Sequence, residues 1–465
     1  MREETIIHFT KILLLSMLLT AVGVTFSFEK VAFAQGGSDV CTLDPGNPAH
    51  LGEFIPVATP LNDLGTGEYF RINRELNDYQ PTGFTGGLYP NGSNVRPAAH
   101  TAAGVALANQ ITPLNPAGVP DPNGRIVLIS VGMSNVHREF RTFINTAATD
   151  PDINPQLTMV NGAQPGQVSD VWADPNNAVW STLDQWLADA GVTPAQVQVA
   201  WVKNTRVGVG DFPQFAQTVQ SDLEAIARNL TAKYPNLKIA YFSSRTRSYT
   251  YWIGLSQEPA AYESGFSVKW MIEKQLNGDA DLNFDPANGA VVAPYLSWGP
   301  YIWADGTNPR SDGLVWLNTD LIGDCTHPSD AGQQKVADML LQFFKTDVTA
   351  TPWFLANPAP APEVPPATVS INGGLMGLAN IEHTFSATTL PVSVTVPLTY
   401  VWRATDGLSI THITGTTDSA TFNWDTPGIK DITVTVQNQF DTVTGTRMII
   451  ISDTVYAVYL PIIFK

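Results

Sequence analysis

From Arg125 onward the chain alternates short apolar runs with longer stretches whose apolar positions recur every three or four residues. The short runs are Arg125 to Val131, Leu157 to Asn161, Val197 to Lys203, Lys238 to Ser244 and Val291 to Ser297. The longer stretches are His137 to Ala148, Val179 to Ala190, Phe212 to Tyr234, Ser264 to Leu276 and Ser329 to Phe344. The stretch from Phe212 carries Val219, Leu223, Ile226 and Leu230 at spacings of three and four, the period of a one-sided helix. Strands that are apolar throughout, separated by such helices, bury both faces only in a parallel sheet covered on both sides. The expected fold class is therefore α/β, a three-layer α/β/α arrangement, with chemistry at the C-terminal ends of the strands.

Two pieces of sequence fit a nucleophile and its base. The first apolar run ends in Gly132-Met133-Ser134-Asn135, which places a serine just past a buried strand and before a helix. Some 190 residues later comes Asp324-Cys325-Thr326-His327-Pro328-Ser329, directly before the last helical stretch. An Asp three residues before a His on such a turn can hydrogen-bond the imidazole and orient it as a general base. A serine hydroxyl becomes a useful nucleophile only when a neighbouring base takes its proton. The order Ser, Asp, His is that of a hydrolase triad. A Gly-x-Ser turn alone is common in any chain, and this one lacks the second glycine of a G-x-S-x-G elbow. Two further blocks strengthen it. Asn161-Gly162-Ala163 follows the second strand, where a glycine lets a backbone N–H point into a site. Lys203-Asn204-Thr205 follows the third, where an Asn amide can donate to a developing oxyanion.

This order of Ser134, Gly162, Asn204 and His327 resembles the SGNH (GDSL-type) hydrolase superfamily, over roughly Arg125 to Lys345. The resemblance implies a flavodoxin-like sheet and assigns Ser134 as nucleophile, His327 as base and Asp324 as its orienting partner. It also implies an oxyanion hole made of the Ser134 N–H, the Gly162 N–H and the Asn204 amide. The chain departs from the family pattern at Met133, which stands where the family has Asp. Before and after Asn204 it has Val202 and Thr205 in place of the usual Gly and Asp. Among the other histidines, His137 is expected on a helix surface, and His50 and His100 in packing or surface roles. Arg245 and Arg247, past the fourth strand, and Trp298, past the fifth, are candidates for substrate contact; ion pairing and rim packing are the alternatives. Trp252, Trp303 and Trp316 fall in similar segments.

The rest of the chain frames this domain. Arg2 and Lys11 precede or border an apolar run from Ile12 to Phe26, and Ala32-Phe33-Ala34 fits a cleavage site, so residues 1–34 read as a secretory signal peptide. Residues 35–120, rich in Pro, Gly, Asn and Thr, are expected to form an irregular extension packed on the catalytic domain, 121–350. A proline-rich linker, 351–366, leads to a β-sandwich, 367–455, and an apolar tail, 456–465, too short to span a bilayer. Tyr400-x-Trp402, Phe422-x-Trp424-Asp425-x-Pro427-Gly428 and Ile432-x-Val434-x-Val436-x-Asn438 resemble PKD-like or other Ig-like modules of bacterial exoenzymes. The resemblance implies a spacer or a polymer- or surface-binding role.

With 42 acidic against 25 basic residues the net charge is −17, which disfavours nucleic acid and anionic membranes as partners. There is no HExxH motif and no His-rich cluster, so neither metal nor cofactor is expected. Cys41 and Cys325, two cysteines in an exported chain, are expected to pair. The expected protein is a secreted or cell-surface esterase, its substrate an ester, with acylated polysaccharide and lipid-like esters both open. An adhesion protein on an inactive hydrolase fold, or an acyltransferase using the same triad, are the alternatives.

Overall fold

The computed structural model describes residues 40–43, 56–73, 78–250, 252, 254–358, 364–391, 394–407 and 409–453. The expected signal peptide, His50 and the apolar tail lie outside the described residues.

Two short strands precede the central sheet, β1 (Glu68–Asn73) and β2 (Asp78–Thr85), paired as an antiparallel hairpin. The central sheet follows: β3 (Ile126–Gly132), β4 (Leu157–Val160), β5 (Val197–Lys203), β6 (Ile239–Phe242) and β7 (Tyr295–Trp298). All its pairings are parallel, in the order β4-β3-β5-β6-β7. The chain moves outward from β3 to β4, then returns to the other side of β3 to build β5. That reversal leaves a crevice at the C-terminal ends of β3 and β5, the usual binding place in open parallel sheets. The register there pairs Gly132 with Lys203.

The longer helices are α1 (Ala98–Ala108), α2 (Ser134–Ala147), α3 (Ala178–Asp189), α4 (Gln214–Lys233), α5 (Ala260–Leu276) and α6 (Asp330–Thr346). Successive strand residues face opposite sides, and β3 is buried on both. Ile126 and Leu128 pack with Phe140 and Phe143 of α2 and with Val336 and Leu340 of α6. Val127, Ile129 and Val131 belong to the opposite layer, with Leu183 of α3, Leu223 and Ile226 of α4 and Phe266 of α5. Val219, Leu223, Ile226 and Leu230 are each at most 1% exposed, so the stripe read from the sequence is the face of α4 turned to the core. Each such burial stabilises by roughly 1.5–3 kcal/mol.

Within 35–120, the described residues are more ordered than their composition suggests. Tyr69 and Arg71 of β1 anchor the hairpin by donating to Glu263 on α5, at 3.0 and 2.6 Å. Helix α1 shows no apolar stripe in the sequence because it packs through small residues. A Cβ on Gly104 would come within 2.5 Å of the Tyr295 ring, so the helix lies directly on β7.

The domain also runs past its expected end. Thr351–Phe354 form a helical turn in which Trp353 and Phe354 are fully buried beside Phe344. Phe354 O accepts from Asn154 N at 2.8 Å, and Ala356 N donates to Asp152 O at 2.8 Å. The start of the proposed linker is therefore core, and the boundary moves beyond Ala356.

The C-terminal unit is a β-sandwich. One sheet holds β8 (Thr368–Asn372), β10 (Glu382–Leu390) and β13 (Thr417–Asn423). The other holds β9 (Met376–Leu378), β11 (Leu398–Ala404), β12 (Ile410–Thr414), β14 (Gly428–Gln437) and β15 (Thr442–Ser452). Phe385, Tyr400, Trp402, Phe422 and Trp424 fill the space between the sheets, with Ile432, Val434 and Val436 inward as their alternation requires.

Candidate active site

Ser134 is the first residue of α2, one turn-residue beyond the extended Met133. The turn depends on Gly132, where a Cβ would lie 2.5 Å from the Lys203 carbonyl oxygen. Ser134 Oγ is 2.6 Å from His327 Nε2, and His327 Nδ1 donates to Asp324 Oδ2 at 2.5 Å. A carboxylate can only accept, so Nδ1 carries the proton and Nε2 is left as an acceptor for the serine. The other carboxylate oxygen, Oδ1, accepts from the backbone N–H of Thr326 at 3.1 Å and of His327 at 2.9 Å. Burial pushes the Asp324 carboxyl up, but the His327 hydrogen bond and charge and these two N–H groups outweigh it and hold the carboxyl below its ordinary range. Both side chains are 4% exposed, while Ser134 is half-open to solvent.

The loop that carries His327 is fixed from several sides. Cys325 holds a left-handed backbone, φ +59°, and is disulfide-bonded to Cys41 as expected. Cys41 N also donates to Leu321 O at 3.0 Å. Asn135, the neighbour of Ser134, donates from Nδ2 to Thr326 O at 2.9 Å, so the Ser134 and His327 segments are tied together a second time. Tyr249 N donates to Cys325 O, and Ser248 Oγ lies 2.9 Å from Thr326 Oγ1.

Gly162 and Asn204 lie just past the C-terminal ends of β4 and β5, as Ser134 does past β3, so the three follow neighbouring strands. A Cβ at Gly162 would meet Leu183 at 2.5 Å and Ser130 O at 2.6 Å, so glycine is required there by packing as well. Asn161 Oδ1 accepts from Ser130 Oγ at 3.0 Å, and its Nδ2 donates to His137 O at 2.7 Å. Gln164 N donates to Gly132 O at 2.9 Å, which seats the Gly162 backbone against the serine turn. Asn204 is 3% exposed; its Oδ1 accepts from Thr205 N, and its Nδ2 makes a long 3.3 Å bond to Gln167 O. The amide is oriented by the first bond and weakly engaged by the second.

Other expected site residues lie elsewhere. His137 is half-buried and donates from Nδ1 to Ala163 O at 3.0 Å, a brace for the Gly162 loop and not a free surface side chain. Arg245 and Arg247 are 2% and 1% exposed and do not reach a substrate mouth. After β6 the chain stays buried from Ser243 to Thr250, passing beneath the His327 loop. Arg247 pairs with Asp305 at 3.0 Å between the Tyr249 and Trp303 rings. Arg245 lies near Glu139 and Glu258, its Nε and Nη1 without a hydrogen-bond partner. Trp298 is 3% exposed on an edge strand of the sheet, donating to Leu88 O at 2.6 Å; it is core. Trp303 and Trp316 are fully buried, whereas Trp252 is 40% exposed.

Beneath the site sits an ion pair the sequence gave no sign of. Lys203 Nζ donates to both oxygens of Glu139, at 2.6 and 2.7 Å, and both side chains are fully buried. It joins α2, five residues after Ser134, to β5, one residue before Asn204. Burial pushes the Lys203 amine down to about 8; Glu139 opposes this and Arg245 adds to it. Among the described residues no group of three or more His, Cys, Asp or Glu could hold a metal ion.

No family model and no curated protein matches this chain. Some solved structures are similar to parts of it. The PKD domain of an M14-like peptidase from a Thermoplasmatales archaeon is 17% identical, covering 19% of this chain and 97% of that one, with a TM-score of 0.17. A protein from Arabidopsis thaliana is 10% identical over 62% of this chain and 96% of that one, TM-score 0.26. An endo-beta-1,4-mannanase from Thermotoga petrophila is 10% identical over 71% and 80%, TM-score 0.17.

Proposed function

We propose that this protein is an exported serine ester hydrolase of SGNH type, acting through an acyl-enzyme on Ser134. The observation that carries the reading is the unbroken chain Ser134 Oγ, His327 Nε2, His327 Nδ1, Asp324 Oδ2, with separations of 2.6 and 2.5 Å. Ser134 Oγ attacks the ester carbonyl carbon while its proton passes to His327 Nε2. In this reading the negative charge moves to the carbonyl oxygen and is stabilised by donation from the Ser134 N–H, the Gly162 N–H and the Asn204 amide. Asp324 holds the imidazolium that forms and stays ionised. Nε2 then gives its proton to the departing alcohol oxygen, leaving Ser134 acylated. Water enters, loses a proton to Nε2, attacks the acyl carbon and releases the acid with Ser134 restored.

The disulfide suits an oxidising compartment, and the sandwich is read as a PKD-like accessory module that binds polymer or spaces the enzyme from a surface. Turnover of p-nitrophenyl acetate tests the central claim. Ser134→Ala and His327→Ala each abolish nearly all hydrolysis while the fold is kept. Asp324→Asn lowers kcat by about 10⁴-fold where the wrong tautomer results, and Asn204→Ala by about 10²–10³-fold. An unchanged rate in Ser134→Ala would remove the nucleophile from this site.

A further inference from the structure

Asp324 and His327 meet across a turn with an unfavourable backbone at its middle. Cys325 has φ +59°, in the left-handed region. Among the described residues the other non-glycine residues with positive φ are Asn91, Asn380 and Asp406, types whose short polar side chains tolerate it. Cysteine has no such compensation, so the conformation persists only where its surroundings impose it. Asp324 depends on it. Its carboxylate bonds the imidazole through Oδ2 and the Thr326 and His327 N–H groups through Oδ1, and all three contacts reach across Cys325. A change in the sign of φ there redirects the chain between the carboxylate and its three donors.

The backbone of Cys325 is held by two bonds: its N–H donates to Ile322 O at 2.8 Å, and its carbonyl accepts from Tyr249 N at 2.9 Å. Its side chain is held by Cys41. Cys41 is itself laid along the loop. Val40 bridges Ile322 in antiparallel pairing, Cys41 N donates to Leu321 O at 3.0 Å, and Cys41 O accepts from Asn318 Nδ2 at 2.8 Å. Each of these contacts is with residues 318–325, the approach to His327. A bond that only fastened the N-terminal extension could attach anywhere on the domain. This one attaches at the residue of the turn whose φ has the costly sign, and it is buried, with Cys41 fully covered and Cys325 5% exposed.

Resting on the esterase reading of Ser134, we infer that Cys325 is a positioning residue for the Asp324–His327 pair, and that closing its bond to Cys41 completes the site. In the dithiol chain Cys325 relaxes toward negative φ, and the fraction of molecules with Asp324 against His327 falls; activity falls with that fraction. Closing the bond takes two protons and two electrons from the two thiols. A disulfide-bearing partner accepts them and leaves as two thiols. The chain is a poor esterase before this oxidation and a competent one after it.

The test compares wild type with two bond-free variants of the full chain, Cys41→Ser with Cys325→Ala and Cys41→Ser with Cys325→Gly, which need no reductant to reach the buried bond. Far-UV circular dichroism reports the fold, and p-nitrophenyl acetate gives kcat and KM. The low-field proton resonance of His327 Nδ1 reports the bond to Asp324 without any need of activity. The alanine variant should keep its ellipticity, lose that resonance, leave KM nearly unchanged and lower kcat by about 10²-fold, as a small misplacement of a reacting group does. Glycine takes positive φ freely, so the glycine variant should regain the resonance and exceed the alanine variant in kcat by a factor of about 5–30. The inference is overturned if kcat survives in the alanine variant, if KM alone changes, or if the two variants are alike. It is also overturned if activity and ellipticity vanish together, since the bond then holds only the fold. Should wild type hydrolyse no ester, the esterase reading falls, and the resonance still decides the positioning role: survival in the alanine variant overturns it, and loss there with recovery in the glycine variant upholds it.

Discussion

Glu139 and Lys203 are partners in one buried ion pair, yet their removal should not cost the same. In Lys203→Met, Glu139 loses two short bonds but keeps a cation nearby. Arg245 is fully buried with Nε and Nη1 unpaired, and Glu139 already supports its charge against the pull of burial. A modest side-chain shift gives the carboxylate a new partner. In Glu139→Gln the balance reverses. Two cations, Lys203 and Arg245, remain enclosed together and repel, and Glu258 is poorly free to answer because its oxygens accept from Ser248, Trp303 and Tyr262. Breaking a buried pair costs about 3–5 kcal/mol. Glu139→Gln should lie at the upper end, about 4–5 kcal/mol, and Lys203→Met nearer about 2–3 kcal/mol. Urea unfolding followed by tryptophan fluorescence, with slopes checked for constancy, measures both. The pH profile adds a sign. Burial depresses the folded Lys203 to about 8, below its unfolded value of about 10.4, so the unfolded chain binds the extra proton between these limits. This group's contribution to stability is therefore present above about pH 10.4 and lost as pH falls through 8, and in Lys203→Met that rise disappears. Equal losses in the two variants, or a larger one in Lys203→Met, would refute the role given to Arg245.

Three other outcomes are expected. A chain ended after Ala350 loses Trp353 and Phe354 from the core, each worth about 3–5 kcal/mol as a large-to-small deletion, and should be much less stable than one ended after Pro358; equal melting temperatures would return the domain boundary to residue 350. Burial lowers His100 to about 4, with the Leu296 carbonyl opposing and Arg96 assisting. Since the unfolded histidine titrates near 6.5, stability should fall as pH drops from about 6.5 toward 4, and His100→Gln should flatten that slope in acid melts. Reducing Cys41–Cys325 opens a loop spanning 284 residues, which in the chain-entropy account weakens the domain by up to about 5 kcal/mol; an unchanged melting temperature in reductant would show that the surrounding hydrogen bonds suffice.

What the sequence made legible was whatever depends on local pattern. β3, β5 and α4 carry their periods openly, and Ser134, Gly162 and Asn204 stand at strand ends. Asp324 and His327 lie three residues apart, so their contact is nearly local. The misreadings have a common cause, which is that neighbours distant in sequence decided them. Helix α1 was hidden because alanine and glycine pack by closeness to Tyr295 and leave no apolar stripe. Trp353 and Phe354 sit behind Pro352 in a stretch that looks like linker, and only the space beside Phe344 makes them core. Arg245 and Arg247 follow a strand, as mouth residues do, but the buried path of residues 243–250 runs under the His327 loop. Asn135, Asn161 and Ser130, the braces of the site, had no signal beyond being polar next to a strand end.

The clasp between Cys41 and Cys325 has a mechanical consequence. It turns residues 41–325 into a covalent ring. Tension applied along the chain from its two ends passes through the sulfurs and then along α6, while everything inside the ring carries no load. Ser134, Gly162, Asn204 and Asp324 are inside. His327 is two residues outside, on the loaded side. A stretched molecule therefore keeps Ser134, Gly162 and Asn204 in place and feels the force first at His327, through a short tether whose far end is Asp324.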